Sequence, residues 1–124
     1  MGISKKNKRK IVFQDQEFYW WVKEEFDGNG GMLEVNIASE DKAFLVRYYA
    51  IQEHSENRHI TVIGKSFPGL ERKNGNWQRF ICPDFIPNFT NNAVSPKHVA
   101  SILEWCYNTT KDLIAVNYKG EKVL

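Results

Sequence analysis

A chain of 124 residues that is 42% apolar and 26% charged can build one hydrophobic core without disulfides or metal, and it is too apolar to stay disordered. The net charge of +2 is unevenly spread. Lys5, Lys6, Lys8, Arg9 and Lys10 occupy the first ten residues with no acid among them, leaving 12 basic against 15 acidic residues. A weakly acidic body argues against a folded surface shaped for phosphate backbones, and no apolar run reaches the length of a membrane span.

Residues 1–9 therefore read as a basic N-terminal arm and 10–124 as a single domain. Lys10 to Phe13 and Glu17 to Lys23 flank the polar break Gln14-Asp15-Gln16, which suits a hairpin. In the second run Phe18, Trp20 and Val22 fall on one face, and Tyr19, Trp21 and Lys23 on the other. Asp27-Gly28-Asn29-Gly30-Gly31 breaks the pattern, with Glu24, Glu25 and Asp27 read as solvated charges of that turn. Met32 to Ala38 alternates Leu33, Val35 and Ile37 with Glu34 and Asn36, a strand with one wet face. Ala43 to Ala50 alternates Phe44, Val46 and Tyr48 with Leu45, Arg47 and Tyr49. His59 to Gly64 and a weaker run from Trp77 to Cys82 follow. Pro83 to Val94 is a long loop carrying Phe85, Ile86 and Phe89.

The next segment predicts a helix. Ser95 suits the N-cap, Pro96 the first helical position, and Val94 can staple against Val99. Val99, Ile102, Leu103 and Cys106 then recur at the i, i+3, i+4, i+7 spacing of an apolar stripe. Leu113 to Tyr118 offers one further strand. Sequential strands with short polar breaks pair with their neighbours, so the fold class is α+β: an antiparallel β-meander with one C-terminal helix packed on one face. A small closed barrel with an appended helix is the competing topology.

Two stretches, Glu17-Phe18-Tyr19-Trp20-Trp21-Val22 and Val94-Ser95-Pro96-Lys97-His98-Val99-Ala100-Ser101-Ile102-Leu103, together resemble a class of small uncharacterised bacterial proteins. These pair a β-meander with a helix opening on Val-Thr/Ser-Pro. The resemblance implies the fold and a bacterial origin, and it carries no activity or site residue with it.

Chemistry-bearing patterns are sparse. His54, Glu56 and His59 lack the spacing of a metal site, and Cys82 and Cys106 lack the partners for zinc or redox chemistry, which leaves two buried thiols and no cofactor. Cys106 and His98 lie eight residues apart on one helix, about 12 Å of rise, and cannot meet. Gly28-Asn29-Gly30-Gly31 precedes a strand rather than a helix, so it is a turn and not a phosphate loop.

What remains is binding. A sheet backed by one helix leaves its second face to be wet or occupied, and Tyr19, Trp21, Tyr49, Phe85 and Phe89 are the candidates for an exposed aromatic patch there. The competing reading folds the Pro83 to Val94 loop over that face and buries them. We expect a cytoplasmic, non-enzymatic module that contacts a protein partner through an aromatic sheet face or edge. The first alternative is a nucleic-acid-associated protein whose Lys5, Lys6, Lys8, Arg9 and Lys10 contact phosphates. The second is a small enzyme whose site assembles only in three dimensions.

Overall fold

The computed structural model describes residues 8–27, 30–40, 43–49, 56–64, 77–85, 94–108, 113–117 and 119–122. Seven strands form one antiparallel sheet in chain order: β1 (Arg9–Phe13), β2 (Gln16–Asp27), β3 (Gly30–Ser39), β4 (Phe44–Tyr49), β5 (His59–Gly64), β6 (Trp77–Ile81) and β7 (Ala115–Val116). β1 and β7 stand at the ends of this order, so the meander is an open sheet rather than the competing barrel. Gln14 and Asp15 both take positive φ, 51° and 63°, between the paired residues Phe13 and Gln16. That is the geometry of a two-residue hairpin turn matched to strand twist.

β2 and β3 pair from Phe18↔Ser39 out to Asp27↔Gly30. Glu24, Glu25 and Asp27, expected in a turn, are therefore strand residues. The length of this ladder is set by backbone pairing. At the other end of the chain, the run from Leu113 to Tyr118 contributes only the two residues of β7.

Among the described residues one helix, α1 (Pro96–Tyr107), packs on one face of the sheet. Phe18, Trp20, Val35, Ile37, Val46, Tyr48, Ile60, Val62 and Phe80 alternate along β2 to β6 and meet Val99, Ile102, Leu103 and Cys106 of the helix stripe. Val22 belongs to the same parity yet is 37% exposed. It lies four residues beyond Phe18 along a strand longer than the helix can cover. The side chain of Leu33, expected beside it, lies outside the described residues. Cys82 and Cys106 are both free buried thiols.

The start of α1 carries a two-way cap. Ser95 Oγ accepts from the His98 backbone N–H at 3.4 Å, and His98 Nδ1 accepts from the Ser95 N–H at 3.1 Å. Here an imidazole fills the place that glutamate or glutamine usually takes three residues into the helix. Val94 packs against the core that contains Val99. The chain after β7 turns back on itself, with Asn117 Oδ1 accepting from the N–H groups of Lys119 and Glu121. Gly120, at φ 76°, presses on Asn57 so closely that a Cβ there would stand 2.4 Å from the Asn57 carbonyl oxygen.

Candidate binding face of the sheet

Two groups of polar side chains stand out, one on each side of the sheet. The first surrounds the Tyr48 hydroxyl. That oxygen accepts from Arg58 Nη1 at 2.9 Å and from the Phe85 N–H at 3.2 Å, and donates to Asp84 Oδ1 at 3.2 Å. Burial pushes the Tyr48 phenol up, against the opposing pull of Arg58 and of the Phe85 N–H. Burial also pushes the Cys82 thiol up to about 12, with Arg58 opposing and Asp84 adding to the shift. A thiol held protonated in this way is a poor nucleophile. The cluster ties the segment after β6 to β4, and its chemistry is structural.

This cluster also settles Phe85. Expected as an exposed contact, it is a core residue at 9% exposure, its ring edge-on to Tyr48 and to Trp105 on the helix side. The segment after Cys82 thus begins by covering the helix-side core and not the second face, as the bond from the Phe85 N–H to the Tyr48 hydroxyl requires. Phe89 lies outside the described residues, as do Ile86, His54, Lys5 and Lys6.

The second group is the sheet face away from α1. Cross-strand partners share a face, so the register aligns Trp21, Asn36, Arg47, Thr61 and Arg79 in one row across five strands. Beside it runs a second row of Lys23, Glu34 and Tyr49. Tyr19, Ala38, Leu45 and Ile63 form a third, with Lys10 opposite Tyr19. Arg47 anchors the floor. Its Nε donates to Asn36 Oδ1 at 3.1 Å and to the Glu34 carboxylate. Glu34, Asn36 and Thr61 are buried at 7%, 2% and 7% exposure. A buried carboxylate on a sheet face is tolerable only with such a partner.

Cations and aromatic rings share this face. The Lys8 ammonium stands 4.6 Å from the centroid of the Trp21 ring, a cation–π contact. Lys10 pairs with Glu17 at 2.8 Å on the same face, with about half of each side chain exposed. Partial burial pulls the Arg79 guanidinium below its ordinary value, and the nearby Tyr49 hydroxyl works against that shift. By register, among the described residues, the face carries Lys8, Lys10, Lys23, Arg47, Arg79 and Lys122 against Glu17, Glu25, Asp27 and Glu34.

Two expectations about this face change. Tyr19 shares it with Trp21 and Tyr49, as the alternation predicts, but is only 5% exposed. Its cross-strand partner is the fully buried Ala38. Trp21 and Tyr49 stay half-buried. Arg9, read as the last residue of the arm, also belongs to β1, paired with Trp20 next to the expected Lys10↔Tyr19 pair, because backbone pairing extends a strand beyond its apolar residues. Arg9 projects to the helix side, 5.3 Å from the Trp20 ring.

The sequence pattern passed over Glu34, Asn36, Arg47, Thr61 and Arg79. Each is an unremarkable polar position in its own strand, and only their shared parity and register make a row. Among the described residues no group of three or more metal-ligating side chains comes together, and His59 Nδ1 lies 3.0 Å from the Asn57 carbonyl oxygen. No described helix is long and apolar enough to cross a membrane. Comparison of the chain with protein-family models, with curated proteins and with solved structures returns no match.

Proposed function

We propose that the protein works by binding rather than by catalysis, and that its contact surface is the sheet face opposite α1, which receives an anionic macromolecule. The observation that carries this is the juxtaposition of Lys8, Lys10, Lys23, Arg47 and Arg79 on one face with the half-buried rings of Trp21 and Tyr49. Of the aromatic residues expected in an apolar patch, Trp21 and Tyr49 keep partial exposure, whereas Tyr19 and Phe85 do not. Both are buried within the chain, which moves the balance from an aromatic patch toward a charged one. A face with this excess of cations attracts polyanions with a strength that falls as salt rises.

Retention on a heparin matrix tests the reading. Lys10→Glu combined with Lys23→Glu should lower the salt needed for elution well below that of Lys97→Glu combined with Lys119→Glu, whose exposed cations lie on the helix and in the turn after β7. Equal lowering by the two pairs would mean that net charge alone governs retention and that the face has no special part.

A further inference from the structure

Resting on that reading, we infer that the occupant of the face is a single-stranded nucleic acid, its bases stacking on Trp21 and its phosphates following the Arg47–Arg79 row. Three observations favour this chemistry over an acidic polypeptide or a duplex. First, the row from Trp21 to Arg79 crosses five adjacent strands. At the usual strand separation it is about 19 Å long, a track with room for several nucleotides. Secondly, the row joins a π-face to two cations: Trp21 at one end, Arg47 in the middle with Tyr49 two residues along the same strand, and Arg79 at the other end. Carboxylate side chains need only the cations, whereas bases also use the rings. Thirdly, the row lies on a sheet seven strands wide. The major groove of a duplex, about 12 Å across, admits a helix or a two-stranded ribbon and not such a surface.

Lys8 has a defined part in this arrangement. In the free protein its ammonium lies over the Trp21 ring at 4.6 Å. A base stacking there takes over the ring face, and the displaced ammonium is left beside the phosphate of the incoming nucleotide.

The test is a fluorescence titration of the full chain with oligouridylate and oligothymidylate of about 12 nucleotides, and with polyglutamate of matched charge. Both oligonucleotides should bind and quench tryptophan emission. Trp21→Leu should weaken binding about tenfold or more, as loss of one stacked base does. Lys23→Glu should weaken it without affecting the fold, since that side chain is exposed. The plot of log affinity against log salt should have a slope near −2, as about three phosphate contacts give. Tighter binding of polyglutamate, lost in Lys23→Glu but indifferent to Trp21→Leu, would overturn the nucleic-acid inference and leave the anionic face standing. Failure of all three probes to bind, together with equal heparin elution of the two charge-reversed pairs, would overturn both. Should Trp21→Leu lose cooperative unfolding, Trp21→Phe replaces it, with loss of the quenching signal as the expected result and retention of full quenching as the contrary one.

Discussion

The Tyr48 hydroxyl and the Arg58 guanidinium meet at 2.9 Å, and around that contact β4, the approach to β5 and the segment after β6 are tied together. Tyr48→Phe removes the oxygen and leaves the Phe85 N–H and the Arg58 donor without it. A buried donor stripped of its acceptor costs about 1–3 kcal/mol. The urea midpoint should fall accordingly, and an unchanged midpoint would show that the cluster is not a tie.

Alkaline pH should weaken the fold through the same region. The Cys82 thiol ordinarily ionises near 9.0 and is pushed to about 12 by burial. Its contribution is complete below pH 9 and is lost as pH rises toward 12, because the unfolded chain sheds the proton first. The loss amounts to about 1.4 kcal/mol per pH unit within that window. Cys82→Val should flatten the fall in urea midpoint between pH 9 and 11. An equally steep fall in that variant would assign the effect elsewhere. In the native state at neutral pH neither thiol should react with iodoacetamide, both being buried.

The helix cap gives a paired test. Ser95→Ala should cost about 1 kcal/mol, the usual worth of an N-cap. His98→Glu keeps an acceptor for the Ser95 N–H and places a negative charge at the positive end of the helix, so it should hold or raise stability. His98→Ala should lower it. Equal destabilisation by glutamate and alanine would mean that His98 serves through packing rather than capping.

Gly120→Ala should destabilise by about 1–3 kcal/mol, since a side chain is strained at positive φ and its Cβ would press on the backbone of Asn57. A neutral effect would show that the turn after β7 shifts freely, contrary to its backbone bond from Glu56 N–H to the Lys119 carbonyl.

Much of this fold is legible in the sequence because period-2 alternation and a capped helical stripe are local signals. Phe18, Trp20, Val35, Ile37, Val46 and Tyr48 announce their face by parity, and Val99, Ile102, Leu103 and Cys106 announce theirs by spacing. What parity cannot give is cover. Tyr19 and Trp21 have the same parity on the same strand, yet Tyr19 lies beside Ala38 and is buried while Trp21 lies beside Asn36 and is half-exposed. Register across several strands decides that difference. The same holds for Arg47, whose partners Glu34 and Asn36 lie 13 and 11 positions away, and for Phe85, which a tertiary bond to Tyr48 draws into the core.

That difference is itself testable. Tyr19→Ser should cost about 3–5 kcal/mol, as deletion of a buried ring does. Trp21→Ser and Tyr49→Ser should cost clearly less, because both rings retain exposure. Comparable losses at all three positions in chemical denaturation would place the whole face in the core and remove it as a binding surface.

Amide and indole NMR shifts on titration with a short heparin oligosaccharide test most directly whether the sheet face opposite α1 receives anions. The account predicts that the largest shifts fall on Lys8, the Trp21 indole, Lys23, Tyr49 and Arg79, and that they diminish with added salt. Largest shifts along α1 around Lys97, or in the turn around Lys119, would contradict it.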